Sequence, residues 1–458
     1  MLNKETFFET LLKPDPHFAE PVNVLDKDEV IVVLDDDPTG TQTVHDVPVI
    51  TSHTETALID AFKSPIFYIL TNSRSLNESA AYALILEVVS MVKVVAEASN
   101  KRALIITRTD STLRGHFKAE PDAVAEALGT PNVLRVFAPA FFEGGRYTIG
   151  NEHYVEEGQE LIKASNTPFA QDKSFGYQSS NLYDYILEKD STVHKSDIFD
   201  FSIEEIRQQN LEYLHNKLAD NSHKKYLIVN AADHADLNKI AHALVMFQSK
   251  GAKLIIRSAA GIVPALGGIK PKPLLNGSAI KTGNQPGLIV VGSYVPKSTS
   301  QLQFLLKNHD LCAIELDVDQ LIDAEKENYI QLLKQRINEA MNGTHDCVLY
   351  TSRKLVAGND KNQSLEIVNR VSNSLISLVQ SIKTQPSFIL AKGGITSSDI
   401  ATKALEIKKA TVLGQIIPGV PVWKTDTLSK YPCMCYVIFP GNVGDEKSLS
   451  EVYHKLTQ

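Results

Sequence analysis

At 458 residues the chain is longer than one hydrophobic core usually serves, so two domains are expected. Hydrophobic residues at 43% and charged residues at 22% give the composition of an ordinary globular protein. A formal net charge of -8 argues against a broad nucleic-acid-binding surface, and four cysteines in so long a chain exclude a disulfide framework.

The amino terminus, MLNKETFFETLLKPDP, carries acids early and has no long apolar run, so no secretory leader is read there. No uninterrupted apolar stretch of spanning length is read either. The expectation is a cytoplasmic protein with neither membrane nor nucleic acid as partner. Residues 1–30 read as an extension with a short helix near 5–12, after which Pro14, Pro16 and Pro21 prevent a regular element.

The organising stretch is IVVLDDDPTGTQTVHD, beginning at Ile31. Its β-branched run predicts a buried strand, ended by Asp35, Asp36, Asp37 and the turn formers Pro38 and Gly40. Carboxylates are costly to bury alone, and the carboxyl ends of strands are where open α/β sheets place ligands. A solvated acidic turn is the structural alternative. A second strand, 65–70, leads into Thr71, Asn72, Ser73 and Arg74, and 75–78 has capping-box spacing before a helix over 79–98. Strand 103–107 leads into RTDSTLRGHF, and strand 134–139 into PAFFEGGRY. This alternation predicts a parallel α/β sheet.

RTDSTLRGHF combines acceptors and hydroxyls (Asp110, Ser111, Thr112) with the donors Arg108, Arg114 and His116. Arg74 and Arg146 follow neighbouring strands, so several guanidiniums could converge on one small anion while aspartates accept from hydroxyls. A polyhydroxylated acid fits that mixture. Arginine–aspartate pairing that merely locks the loops is the alternative. Ligand binding is favoured because strand-end loops are preferred sites. The stretch 143–150 reads as a glycine-rich turn, 153–163 as a charged region and 164–176 as irregular. Asp233 to Asp236 has capping-box spacing, which explains its acids beside His234 better than a metal does.

Gly267, Gly268, Pro271, Pro273 and weak patterning thereafter mark a linker. Strand 288–291 then delivers Gly292 and Ser293. The sharpest motif of this half, SFILAKGGITSSDIATKAL, predicts a strand over 388–391, a turn at Lys392, Gly393 and Gly394, and a helix from about Thr396. Glycine amides and a helix start suit phosphate, and Lys392 would add a point charge. Thr396 to Asp399 fits a capping box. Near the end, CMCYVIFPGNVGDEKSL repeats the pattern, and Trp423 is expected to pack rather than stack on a base.

DDDPTG, LTNSRSL, TRTDSTLRG and PAFFEGGRY resemble the substrate-binding domain of the four-carbon acid sugar kinases, and AKGGITSSD and FPGNVGD resemble their nucleotide-binding domain. The resemblance runs from about Ile31 to the carboxyl terminus. It implies an α/β fold of two domains, each a mostly parallel sheet flanked by helices, with the active site in the interdomain cleft. Residues 31–272 would bind the sugar acid, 273–286 link, and 287–458 bind ATP with Mg²⁺. It also implies transfer of the γ-phosphoryl group to the C4 hydroxyl of threonate, erythronate or 3-oxo-tetronate.

Residue by residue, Asp36 and Asp37 match the family's acidic pair, with Asp37 slightly preferred as the catalytic group. Arg74, Asp110, Ser111, Thr112 and Arg114 match substrate residues. Gly393, Gly394, Ile395, Thr396, Gly441, Asn442 and Gly444 match the nucleotide loops. Arg108, Arg146, Ser293 and Lys392 join these sets from their positions at strand ends. No magnesium ligands are readable, and a homodimer is left open. Pro38, Thr41, Gln42 and Thr43 depart from the family's usual turn, which leaves the substrate's identity open. A sugar-acid dehydratase or aldolase without ATP, or a non-catalytic sensor of sugar acid and nucleotide, are the alternatives.

Overall fold

Val30 to Leu34 are all buried, as the β-branched run requires, and the strand they form spans Glu29–Asp35. The structure is a computed structural model describing residues 2–277, 280, 282–292, 295–321, 326–353, 361–441 and 443–458. It divides into two units, Met1–Lys272 and Pro273–Gln458. Each is an α/β domain whose mostly parallel sheet is flanked by helices.

In the first unit the sheet runs in the order Ile198–Phe201, Tyr226–Val229, Leu134–Ala138, Leu254–Ser258, Arg102–Arg108, Glu29–Asp35, Ile66–Leu70, Val47–Ile50, and all these pairings are parallel. The chain leaves Glu29–Asp35 toward Ile66–Leu70 on one side and returns to Arg102–Arg108 on the other. That reversal makes the carboxyl end of Glu29–Asp35 a topological switch point, the position where such sheets open a crevice. The short edge strands Val47–Ile50 and Ile198–Phe201 carry too little pattern to stand out in the sequence.

Helix Glu78–Ala98 covers this sheet. Its cap is Asn77, whose side chain accepts from the Ala80 amide, so the capping box expected at 75–78 is not the device used. Although Glu87 and Lys93 interrupt its apolar run, this helix is long and apolar enough to cross a membrane by length and composition. Ala81, Ile85, Val88, Val89, Val92 and Val95 are all buried in the core, which accounts for that apolar character.

The turn and charged region expected at 143–163 is an antiparallel sheet of Arg146–Ile149, Glu152–Glu157 and Glu160–Lys163, joined at its edge by Leu2–Asn3. Its charged side chains occupy exposed and half-buried positions, which masks the two-residue period. The extension is therefore partly regular. Helix Lys4–Glu9 brings Phe8 edge-on to Tyr147 at 5.1 Å and Phe7 to Tyr154 at 5.9 Å. The capping box at Asp233 is present, and His234 faces Glu143 at 3.6 Å.

In the second unit the order is Lys409–Ile417, Val420–Thr425, Cys435–Phe439, Ile389–Lys392, Leu288–Val291, Cys347–Thr351, Cys312–Leu316. The first three are antiparallel and the rest parallel. Trp423 is fully buried beside Tyr436, a packing residue as expected. Helix Gly394–Asp399 starts at Gly393 without a side-chain cap, so Thr396 to Asp399 do not form the expected box. Asp399 instead meets Lys403 at 2.7 Å and Ser372. All four cysteines are free.

Candidate active site

The three aspartates at the end of the central strand have three different environments. Asp35 turns inward and accepts from Arg108 at 3.2 Å, while Pro38–Thr41 wraps over it. A Cβ on Gly40 would fall 2.1 Å from the Asp35 carboxylate, so only glycine closes that turn. Burial pushes Asp35 up to about 8, against the pull of Arg108.

Asp37 is fully engaged. Its Oδ1 accepts from the Thr39 amide at 2.8 Å, and Arg74 donates to its Oδ2. Burial opposes ionisation there, but Arg74 and the Thr39 bonds outweigh it and hold the carboxyl below the usual range.

Asp36 is the exception. It is buried, yet neither carboxylate oxygen has a hydrogen-bond partner among the described residues. Arg108 stands 3.8 Å away and Arg74 4.0 Å. Burial, resisted by Arg74 and Arg108, pushes its carboxyl up to about 7. An orphaned buried carboxylate is costly, and such groups gather at functional sites.

Arg74 is the hub that joins the loops: besides Asp37 and Asp36 it faces Asp110 at 3.8 Å. Asp110 also accepts from Arg114 Nε at 2.8 Å and from the Thr112 hydroxyl. Burial works against the Asp110 charge, but Arg114, Arg74 and Thr112 overcome it and hold the group well below the usual range. The DSTLR loop is pinned in place. Leu113 is held at φ 68°, a left-handed conformation unfavourable to a branched side chain, with its carbonyl accepting from Tyr185 Oη at 2.5 Å. Ser111 offers its carbonyl to His153 Nε2 at 2.8 Å while the Thr148 hydroxyl meets Nδ1 at 3.0 Å. Burial pushes His153 down to about 4, so it serves as a neutral strut.

Asp36, Asp37, Arg74, Asp110, Thr112 and Arg114 thus come together as the sequence suggests. Arg108 lies among them but is 3% exposed and turned to Asp35 and Asp36, an internal counter-ion rather than an outward contact. Arg146 stands beside Arg114, both guanidiniums over the Phe169 ring at 5.9 and 5.0 Å. Sequence reasoning missed Phe169 and Asp172 in the irregular segment, and Glu120, which accepts from Ser73 Oγ at 2.6 Å and faces Arg257 at 3.5 Å. Nothing in the local pattern marks these three.

In the second unit, Gly393 (φ 107°) turns the chain out of Ile389–Lys392, and its amide donates to Phe439 O at 2.8 Å. The amides of Gly394, Ile395 and Thr396 precede the first helical donor, Ser397 N, which bonds Gly393 O at 2.8 Å, and so are the donors that a helix start leaves without an intrahelical partner. Ile395 is 67% exposed. Any Cβ at Gly292 would meet Thr396 Oγ1 at 2.4 Å, so the two glycine turns pack closely. Gln301, unremarked in the sequence, holds the later loop by donating to Val443 O at 3.2 Å and Asp445 O at 2.6 Å. Gly444 (φ 77°) lies in that loop, and Gly441 has open space around it. Ser293 and Asn442 lie outside the described residues.

Lys392 is placed unlike the sequence reading. It is buried, donates to Pro440 O at 2.8 Å and stands 4.2 Å from the centre of the Phe439 ring. Burial pushes its ammonium down to about 7. It ties one glycine loop to the next.

Family models match both units: a sugar-binding N-terminal domain over residues 31–266 and a nucleotide-binding C-terminal domain over residues 288–449. The chain belongs to the four-carbon-acid-sugar-kinase-like family. It is 27% identical over 261 residues to a D-erythronate kinase of Heliobacterium modesticaldum, an alignment covering 56% of this chain and 54% of that one. The chain therefore aligns with only about half the length of this curated relative. Among solved structures, a Haemophilus influenzae protein superposes with TM-score 0.64 at 17% identity, covering 93% of this chain and 100% of that chain. A Salmonella typhimurium LT2 protein, provisionally named a tRNA synthase, gives 0.67 at 15% identity, covering 92% and 98%. These likenesses establish the fold.

Nucleotide phosphates commonly carry Mg²⁺ with them, but the described residues contain no group of three histidine, cysteine, aspartate or glutamate side chains suited to a metal. Asp36 and Asp37 lie among guanidiniums, which disfavours a cation there.

Proposed function

We propose that this protein is an ATP-dependent kinase transferring the γ-phosphoryl group to the terminal C4 hydroxyl of a four-carbon sugar acid such as threonate, erythronate or 3-oxo-tetronate. The observation that carries the reading is the buried Asp36 carboxylate, without a hydrogen bond among the described residues and flanked by arginines, at a sheet's switch point in a domain of the sugar-binding type. The nucleotide-binding type of the second unit supports ATP as donor.

In this reading Asp36 accepts the proton of the attacking hydroxyl and Asp37, held by Arg74, orients it. The sequence preference for Asp37 as base is reversed because a carboxylate already committed to two donors is a poor acceptor. The Asp36 oxygens are buried and the Gly115 turn lies close to them; a Cβ at Gly115 would lie 3.2 Å from Asp36 Oδ2. The main-chain amides at Gly394 to Thr396 would bind phosphate, and Mg²⁺ would enter with ATP. Phosphoryl transfer then depends on positioning and charge stabilisation more than on covalent help.

An ADP-release assay with Mg-ATP against C4 and C5 sugar acids, with mass detection of products, tests the reading. Acid-dependent ADP release with a gain of one phosphoryl mass is expected. Acid turnover without ATP would establish the dehydratase or aldolase alternative instead, and binding of both ligands without transfer would establish a sensor.

A further inference from the structure

Four arginines, Arg74, Arg108, Arg114 and Arg146, stand in the acid cluster, and the aspartates are shared unevenly among them. Arg74 faces three carboxylates and Arg108 two. Arg114 reaches Asp110 at 2.8 Å and Asp172 at 3.4 Å. Arg146 has no ion-pair partner among the described residues, and its Nε is buried without any hydrogen-bond partner. It nevertheless stands against the same Phe169 ring as Arg114. Two guanidiniums on one ring repel each other, and desolvation adds to the cost unless an anion joins them.

Asp110, the carboxylate that acts most on Arg146, is already shared by Arg74 and Arg114, and the next, Glu156, is engaged elsewhere. Glu156 lies on the strand paired with Arg146–Ile149, its backbone amide donating to Gly145 O at 2.8 Å. Its carboxylate is taken by Lys4 Nζ at 2.8 Å and by Tyr147 Oη at 3.0 Å. Lys4 comes from the amino-terminal helix, so a remote segment shares the charge of Glu156, which acts on Arg146 without an ion-pair contact.

We propose that Arg146 is the carboxylate anchor of the site, with Phe169 fixing it beside Arg114, and that it makes the enzyme prefer acids over uncharged polyols. This assignment rests on the kinase reading. Arg74 and Arg114, which match substrate residues in the sequence, already hold aspartates and are less free to take the carboxylate. A planar guanidinium with free donors binds a carboxylate in two-point fashion. The distal hydroxyl is then left toward Asp36 and Asp37.

The test compares Arg146→Met, Arg146→Lys and wild type on the best acid of the panel and on its neutral analogue, the same carbon chain carrying a carboxamide. For Arg146→Met the acid KM is expected to rise about 10–100-fold, the scale of losing a charged hydrogen-bond pair. The neutral analogue and the KM for ATP should move less than about threefold, so the preference for acid collapses. Arg146→Lys guards against a folding defect: it should keep the acid preference with an acid KM about tenfold higher. An unchanged acid KM in either variant, or an intact preference in Arg146→Met, overturns the anchor while leaving the kinase standing. Calorimetry on the wild type separates the two failures, because a wild type that binds no sugar acid overturns the functional reading itself.

Discussion

Asp36 and Asp37 are adjacent in sequence, yet the fold gives them opposite proton affinities. Asp37 has an amide and a guanidinium bonded to its oxygens; Asp36 has only guanidiniums at 3.8 and 4.0 Å. A base must be ionised to accept a proton, so kcat/KM should rise with pH and level off above about 7. Asp36→Asn is expected to lower kcat by about 10²–10⁴-fold and to abolish that limb, with ATP binding intact. Stability should move the other way. A raised carboxyl binds more protons in the folded than in the unfolded chain, so stability is lost as pH climbs from about 4 through about 7. Melting temperature against pH should therefore fall less steeply in Asp36→Asn, with Asp35 sustaining part of the slope up to about 8. A wild-type limb that survives in Asp36→Asn would move the base role elsewhere.

Among the elements, Lys4–Glu9 has a consequence out of proportion to its length. By holding Glu156 through Lys4, it limits the share of that carboxylate open to Arg146 at the start of the adjacent strand. Lys4→Met should release Glu156 toward Arg146 and raise the acid KM about tenfold, with kcat and the ATP KM unchanged. The pair itself is half-exposed and contributes little to stability, so the melting temperature should barely move. Loss of KM together with melting temperature would instead mean that the small sheet had come apart. The same element shows where sequence reading stops. The DSTLR and KGG loops were legible because an apolar run ending in polar residues is a local signal. The sheet of Arg146–Ile149 and its partners was not, since Glu152, Glu156, Glu157 and Glu160 interrupt its alternation. Lys392 was misjudged for a different reason. The Phe439 ring ends a strand paired through the sheet and the Lys392 acceptor, Pro440 O, follows directly after, and no local pattern reports that neighbour. Phe169 and Asp172 escaped notice because only their contacts with Arg114 give them meaning.

For the whole molecule, the relevant fact is that each unit has its own apolar core. One gathers Val32, Leu34, Phe67, Val88 and Ile105; the other gathers Ile289, Val291, Leu390, Val437 and Leu449. Chains built this way seldom unfold in one step, so scanning calorimetry is expected to resolve two transitions. The functional reading assigns one ligand to each. A ligand that binds only the folded form, at about 100 times its Kd, stabilises its domain by about 2.7 kcal/mol. For units of this size that raises the matching transition by roughly 5–10 °C. Mg-ATP alone should therefore lift one transition and the sugar acid alone the other, and Arg146→Met should abolish the acid's shift without touching the nucleotide's. A nucleotide that leaves both transitions in place, while the acid still moves one, would retain the sugar-acid site and remove the kinase, since phosphoryl transfer requires the donor to be held.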